Sequence, residues 1–222
     1  MIKSAMAQTM KASTEITCLF VDIGGVLLTD GWVHDYRVLA AKTFGLDPVE
    51  LEMRHHQAYE THEAGMLSLE DYLKLAIFYR ERPFTRDQFE QFMFAQSKPY
   101  PKMIELVRNL KSAYGLKIVV VSNEGRELNA HRIHAFELDG FVDAFISSCF
   151  VHHRKPDVEI FRHALDVAQA PAGNIIYIEN TPMFVQIAEG LGIRSILHTD
   201  YKTTRNKLAA LGLDICEPAK SN

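Results

Sequence analysis

Short runs of aliphatic and β-branched residues, separated by helical segments, constrain the fold of this chain more than any other feature. The clearest runs are Ile16–Val21, Leu116–Val121 and Ile175–Ile178, and weaker ones lie at Ala144–Ile146 and Ile193–Leu197. They are nearly continuous rather than alternating, which is typical of strands buried on both faces. The pattern therefore predicts an α/β fold with a mostly parallel sheet and helices on both sides.

Helical segments separate the later strands. Lys102–Ala113 follows Pro101, a favourable first-turn residue, and stops at Gly115. Asp157–Ala168 places its apolar residues on one helical face. Met183–Glu189 follows Pro182 and ends near a glycine. We expect these three helices to cover the sheet.

Residues 32–98 have no strand pattern. His34–Phe44 and Pro48–Tyr59 are periodic segments, and capping boxes at Ser68-x-x-Asp71 and Thr85-x-x-Gln88 open two more helices. The sequence therefore predicts a helical insertion after the first strand. We expect an α/β core formed by residues 1–30 and 99–222, and a four-helix insertion at 31–98.

Composition agrees with one globular core carrying an insertion. The chain has 222 residues, of which 47% are hydrophobic and 23% charged. Its 24 basic and 28 acidic residues give a net charge of -4, so no basic excess favours nucleic-acid binding. No apolar run is long enough for a membrane span, and the first 15 residues lack the apolar region of a signal peptide. We expect a cytoplasmic protein whose three widely spaced cysteines are reduced thiols.

Polar residues follow four of the predicted strands, three of them directly and Lys155 soon after the strand at Ala144–Ile146. In an open parallel sheet, ligands bind outside the carboxyl ends of the strands. The residues at those ends supply a carboxylate, a hydroxyl, a cation and a second carboxylate, which together suit an anion, a divalent metal and a nucleophile. These residues are Asp22-Ile23-Gly24-Gly25, Ser122-Asn123, Lys155 and Glu179-Asn180.

The order of these segments resembles the haloacid dehalogenase superfamily. The four motifs of that family are matched by FVDIGGVLL at Phe20–Leu28, VVVSN at Val119–Asn123, RKPD at Arg154–Asp157 and YIEN at Tyr177–Asn180. The resemblance implies a Rossmann-like core with a C1-type helical cap. The Gly-Gly-Val variant of the first motif, with HEAGMLSLEDY at His62–Tyr72, is most similar to the branch that contains sugar-phosphate phosphatases such as glucose-1-phosphate phosphatase.

The resemblance also implies roles for individual residues. Asp22 would be the nucleophile that forms an aspartyl-phosphate, Ser122 would hydrogen-bond a phosphoryl oxygen, and Lys155 would neutralise charge. The expected function is Mg²⁺-dependent hydrolysis of a small phosphorylated metabolite. Mg²⁺ would be held by Asp22, the Gly24 carbonyl, Glu179 and Asn180, and the substrate would also be bound by Ile23, Gly24, Gly25 and Asn123.

Two positions depart from the family pattern. The second aspartate of the usual Asp-x-Asp motif, the general acid and base, is replaced by Gly24. Asn180 stands where an acidic metal ligand is common. With Gly24, either a proton donor comes from elsewhere or turnover is slow. His55, His56 and His62 of the insertion are candidates for that donor by their ordinary pKa.

Two other functions fit part of the pattern. A metal-independent haloacid dehalogenase would use the same nucleophile, with Ser122, Asn123 and Lys155, and also lacks the second aspartate. A non-catalytic relative that binds a phosphorylated ligand is suggested by the two departures. The intact pair of Asp22 and Lys155 favours an enzyme.

Overall fold

The computed structural model describes residues 15–215 and contains a five-stranded parallel sheet in the order β3-β2-β1-β4-β5. The parallel α/β sheet predicted from the sequence is therefore confirmed. Most of the polar leader and Cys216 lie outside the described residues. The strands are β1 Cys18–Val21, β2 Lys117–Ser122, β3 Ala144–Ser147, β4 Ile175–Glu179 and β5 Arg194–Leu197.

Helices account for most of the rest of the described chain. None of those within residues 15–215 has the length and hydrophobicity that a membrane span requires. They are α1 His34–Phe44, α2 Pro48–Glu63, α3 Leu69–Ala76, α4 Arg86–Ala95, α5 Pro101–Tyr114, α6 Arg126–Ala135, α7 Ser148–Val151, α8 Glu159–Ala168, α9 Pro182–Gly190 and α10 Tyr201–Ala210.

The first strand lies at the centre of the sheet. Val21, its last residue, pairs with Val120 of β2 and Ile178 of β4. The chain runs outward from β1 through β2 to β3, and then crosses back to β4 and β5 on the other side of β1. This change of direction opens a crevice beside the carboxyl end of β1, where open α/β sheets bind ligands.

Each face of the sheet packs on its own helical layer. Alternate residues of β1, such as Val21, contact a cluster that includes residues of α5 and α10. Phe20 faces the opposite way and packs in a second cluster with residues of α8 and α9. Burial on both faces explains why the strand sequences are nearly uninterrupted apolar runs.

The insertion α1–α4 has a hydrophobic core of its own. Phe44, Phe84 and Phe89 are in mutual ring contact, with centroids 4.6 to 6.0 Å apart. The capping box forms as predicted, because Thr85 accepts from the Gln88 backbone while the Gln88 side chain accepts from Thr85. Helix α2 runs four residues beyond its predicted end, to Glu63.

Helices α6, α7 and α10 were not predicted. The buried residues of α6 include Asn129 and Arg132, so its inward face does not appear as an apolar stripe in the sequence. Helix α10 similarly buries Thr204 beside Leu208, and α7 has only four residues. Buried polar residues interrupt the apolar periodicity of α6 and α10, so a hydrophobic pattern does not predict these two helices.

A partly buried ion pair joins α1 to α2. The Arg37 guanidinium donates to both carboxylate oxygens of Glu52, at 2.8 Å from Nε and 2.5 Å from Nη2. Its third contact is the Trp32 carbonyl. The Arg37 hydrogen bonds lower the pKa of Glu52 to about 2. Such bidentate pairs are strong because the planar guanidinium matches the carboxylate.

We expect Glu52→Gln to lower the free energy of unfolding by about 2 to 3 kcal/mol, because it leaves the buried Arg37 without its counterion. Urea denaturation at pH 7 measures this. Glu70→Gln is the matched control, since it makes the same change at an exposed ion pair of the insertion and should have little effect. Because the pKa of Glu52 is lowered, its stabilising effect is present above about pH 4.5 and is lost as pH falls toward 2. Equal losses in the two variants would contradict the prediction.

Candidate active site

Asp22 is placed at the centre of the crevice by the end of β1. Its backbone N–H still donates to the Ile178 carbonyl, at 3.0 Å, and so continues the strand pairing. The side chain is almost wholly buried. Burial raises the pKa of Asp22 to about 7, while the nearby Lys155 acts to lower it. A cation bound beside the carboxylate would lower this pKa further.

Lys155 is fully buried and lies between two carboxylates. Its Nζ atom is 3.2 Å from Asp22 Oδ1 and 2.7 Å from Glu179 Oε2. The same ammonium donates to the Val121 carbonyl and to the Tyr177 hydroxyl, each at 3.2 Å. Burial alone would lower the pKa of Lys155, but the two carboxylates raise it overall. The two carboxylates therefore favour the charged form of the buried ammonium beside Asp22.

Both carboxylate oxygens of Glu179 accept hydrogen bonds from the protein. Oε1 accepts from the Thr181 backbone at 2.9 Å. Oε2 accepts from Lys155 and from the Tyr177 hydroxyl. Glu179 is also fully buried. In this arrangement it is the counterion of Lys155, and its expected role as a metal ligand stays a prediction.

Asn123 binds the main chain of Lys155. Its amide nitrogen donates to the Lys155 carbonyl and its amide oxygen accepts from the Lys155 N–H, both at 2.8 Å. These hydrogen bonds hold the loop that carries Lys155, and the predicted contact of Asn123 with substrate stays a prediction. Ser122 ends β2, is buried, and its hydroxyl acts to lower the pKa of Asp22.

The glycine loop after Asp22 is shaped by close packing against Asn180. A Cβ on Gly25 would lie 1.9 Å from Asn180 Nδ2, and its φ of +70° is itself unfavourable for other residues, so glycine is required there. A Cβ on Gly24 would meet only ordinary contacts, the nearest at 3.5 Å. The Ile23 N–H donates to Asp22 Oδ1 at 2.8 Å, so its predicted contact with a phosphoryl group stays a prediction.

Oxygen donors suitable for Mg²⁺ lie around the same loop. No cluster of three or more His, Cys, Asp or Glu residues within residues 15–215 is arranged as a metal site. However, Mg²⁺ is commonly held by only one or two carboxylates, with water and substrate phosphate completing its shell. The Asp22 carboxylate, the Gly24 carbonyl and the Asn180 amide oxygen fit that requirement, because the Asn180 amide nitrogen points to Asp30 and leaves its oxygen available.

A cavity of about 280 Å³ opens over these residues. Core residues line its floor and the insertion lines its roof. A groove of about 890 Å³ elsewhere is larger, but it lies near the start of β2 and contains none of the predicted site residues. The floor of the site cavity includes Asp22, Gly24, Ser122, Asn123, Lys155 and Asn180, and the roof includes Trp32, His55, Tyr59, His62 and Tyr72.

The insertion packs tightly against the core around this cavity. Arg154 Nη2 lies 2.8 Å from Glu63 Oε2, and the Ser148 hydroxyl donates to the Glu63 carbonyl at 2.6 Å. A Cβ on Gly65 would lie 2.2 Å from the Cys149 carbonyl oxygen, and one on Gly125 would lie 2.1 Å from His62 Nε2. These contacts fix the insertion against the core beside the site.

The three histidines considered as proton donors occupy different environments. His55 is bonded through Nδ1 to the Tyr72 hydroxyl at 2.8 Å, and burial lowers its pKa to about 3, so it is neutral at pH 7. His56 is exposed, pairs with Glu52, and is not among the residues that line the cavity. His62 lines the cavity and contacts the Leu67 carbonyl through Nδ1.

Several residues of the site are not among those predicted from the sequence. Asp30, Glu124 and Arg154 line the cavity, and Tyr177 bonds Lys155 from the sheet. Arg154 and Tyr177 lie inside matched motifs, and Glu124 directly follows one, so position alone could have suggested them. Asp30 had no such signal, because its relation to Gly24 depends on the path of the chain between them.

Comparison with known families decides the classification. A family described as haloacid dehalogenase-like hydrolase matches residues 16–192, which is most of the chain. The chain belongs to this family. That confirms the resemblance drawn from the four motifs, whereas the sugar-phosphate branch stays a prediction.

Individual relatives are distant. The protein carrying the name pyrophosphatase PpaX from Caldanaerobacter subterraneus is 26% identical over 111 residues, which cover 50% of each chain. The chain thus aligns with about half the length of that relative. Among solved structures, a haloacid dehalogenase-family enzyme of Bacteroides thetaiotaomicron has a TM-score of 0.72 at 17% identity, covering 83% of this chain and 94% of the other.

That Bacteroides enzyme has also been crystallised with magnesium and inorganic phosphate, in a structure with a TM-score of 0.71. A dehalogenase structure has a TM-score of 0.59 at 20% identity and covers 81% of this chain and 83% of its own. Identities this low establish the shared fold and leave the reaction open, because one fold hosts many chemistries.

We expect Asn123→Ala to lower the free energy of unfolding by about 2 kcal/mol, because it removes two hydrogen bonds that hold the Lys155 main chain. Urea denaturation would measure the loss. Asn109→Ala, at an exposed position of α5, is the matched control and should change little. A value for Asn123→Ala within error of the control would show that these two bonds contribute nothing measurable.

Proposed function

We propose that this protein is a Mg²⁺-dependent phosphatase that hydrolyses a small phosphorylated metabolite through an aspartyl-phosphate on Asp22. The observation that carries the proposal is the position of Asp22, which lines a cavity covered by the insertion and has the Lys155 ammonium 3.2 Å from Oδ1. A carboxylate beside a fixed cation is suited to attack an anionic phosphoryl group, which it would otherwise repel.

In the first half of the reaction, Asp22 attacks phosphorus and the bond to the leaving-group oxygen breaks. Lys155 stabilises the negative charge on the phosphoryl oxygens, and Ser122 donates a hydrogen bond to one of them. In the second half, water attacks the aspartyl-phosphate and releases phosphate and the free Asp22 carboxylate. Splitting the displacement into two steps allows one carboxylate to serve as both acceptor and leaving group.

Mg²⁺ would be held by Asp22, the Gly24 carbonyl and Asn180. When bound, it supplies positive charge that neutralises the phosphate and stabilises the transition state. Glu179 supports this site indirectly, since its oxygens hold Lys155 in place. The resident charges of Asp22, Lys155 and Glu179 sum to minus one when all are ionised, which favours binding of a cation.

The size of the cavity is consistent with a small substrate. The cavity is about 280 Å³ and is bordered by aromatic side chains of the insertion. Closure over the phosphate excludes bulk water, which strengthens the electrostatic contacts in the site. Because sugar phosphates and pyrophosphate are suggested by the sequence resemblance and by the PpaX relative, both belong in the first substrate panel.

Phosphate release from p-nitrophenyl phosphate, glucose 1-phosphate and pyrophosphate, with Mg²⁺ or EDTA, tests the proposal. We expect turnover only with Mg²⁺ and a loss of at least about 1,000-fold in Asp22→Asn. Asp35→Asn is the matched control, because Asp35 is exposed at the start of α1 and does not line the cavity. Mg²⁺ should also raise the melting temperature of the wild type.

Other outcomes would favour the alternatives. Release of chloride from 2-chloropropionate in EDTA would identify a dehalogenase. Stabilisation by inorganic phosphate without turnover of any substrate would indicate a non-catalytic binding protein. Full activity in Asp22→Asn would refute the assignment of the nucleophile.

A further inference from the structure

Asp30 lies beside the glycine that replaces the second motif-one aspartate. The residue follows β1 on the segment that leads into α1, is half-buried, and lines the cavity together with Asp22 and Lys155. Its Oδ1 atom is 3.5 Å from the point where a Cβ on Gly24 would lie. A carboxylate therefore occupies the space next to position 24, although the chain delivers it from position 30.

Several contacts fix the segment that carries Asp30. The Thr29 N–H donates to the Lys98 carbonyl at 2.8 Å, and the Thr29 hydroxyl donates to the Gln96 carbonyl at 3.0 Å. The buried Arg132 guanidinium donates to the Thr29 carbonyl. Asn180 Nδ2 approaches Asp30 Oδ1 at 3.5 Å, a long contact that orients the carboxylate toward the glycine loop.

The other carboxylates that line the cavity form ion pairs with arginine or lysine. Glu63 pairs with Arg154 at 2.8 Å, and Glu124 pairs with Arg132 at 2.6 Å. Asp22 is bonded to Lys155 and is assigned as the nucleophile. Asp30 forms no ion pair with a Lys, Arg or His in the described part of the chain, so no basic side chain there neutralises its carboxylate.

We propose that Asp30 is the general acid and base of the reaction, in place of the aspartate absent at position 24. The proposal rests on the phosphatase function proposed above. As Asp22 bonds to phosphorus and the leaving-group bond breaks, the Asp30 carboxyl gives its proton to the departing oxygen, which leaves as an alcohol. The Asp30 carboxylate then takes a proton from the attacking water while the bond between phosphorus and Asp22 breaks, which restores both side chains.

The dependence on leaving group distinguishes this role from a structural one. p-Nitrophenolate departs without protonation, whereas the alkoxide of benzyl phosphate, a substrate of similar shape, needs a proton. Asp30→Asn keeps the shape of the side chain and an acceptor for Asn180. We expect it to lower kcat/KM for benzyl phosphate about 10²- to 10³-fold and to change that for p-nitrophenyl phosphate less than about tenfold. The ratio kcat/KM reports only steps through the first release of product, so the later step does not obscure the comparison.

Asp35→Asn serves as the matched control and should leave both ratios unchanged. Equal losses on both substrates in Asp30→Asn, or no loss on either, would overturn the role of Asp30. A selective loss on benzyl phosphate in His62→Gln, with none in Asp30→Asn, would assign the proton to His62 instead. A wild type that hydrolyses neither substrate, or that does not need Asp22, would refute the proposed function itself. That outcome differs from a failure of the Asp30 role, in which the wild type is active and depends on Asp22.

A double variant tests the geometry separately. A Cβ on Gly24 meets no contact closer than 3.5 Å, so an aspartate is tolerated there once the Asp30 side chain is shortened. Gly24→Asp combined with Asp30→Ala should recover at least about tenfold of the benzyl phosphate activity lost in Asp30→Ala alone. No recovery in a correctly folded double variant would contradict the idea that the two positions address the same point in the site.

Discussion

The buried ammonium of Lys155 is the constraint on which the rest of this structure depends. A charge removed from water is costly unless it is paired and hydrogen-bonded. Here the compensation comes from two carboxylates at the ends of neighbouring strands, Asp22 on β1 and Glu179 on β4, with the Tyr177 hydroxyl and the Val121 carbonyl completing the shell. The central strand order places these groups within reach of one ammonium. The same arrangement that satisfies Lys155 also presents Asp22 to the cavity.

This arrangement determines which oxygens are left for other tasks. Glu179 is occupied by Lys155, Tyr177 and Thr181, so its charge acts on the site without an open lone pair toward the cavity. Asp22 has its Oδ1 atom bonded to Ile23 and Lys155. With one side of Asp22 restrained, the carboxylate has a defined orientation, which is what a nucleophile needs for attack along a single direction.

The sequence predicted those parts of the molecule that depend on local patterns. Buried strands appear as continuous apolar runs, and polar residues at their ends identified Asp22, Ser122, Lys155 and Glu179 as neighbours because parallel strands share one edge. The sequence did not reveal α6, because its inward face carries Asn129 and Arg132, which bond Ser147 and Thr29 on other segments of the chain. The sequence also could not show that Asn123 bonds the Lys155 backbone, because an amide side chain both donates and accepts hydrogen bonds and can therefore pair with many groups.

Steric crowding determines the identity of only one of the two adjacent glycines. Gly25 has a positive φ and no room for a Cβ, so its identity follows from the backbone and from Asn180. Gly24 has neither restriction, so the missing carboxylate at that position is not a consequence of crowding. Proton transfer requires a carboxylate beside the leaving group, and that carboxylate can come from any position in the sequence. Because the segment after β1 turns back toward the glycine loop, Asp30 lies near that point, and a motif read only along the sequence would count the group as absent.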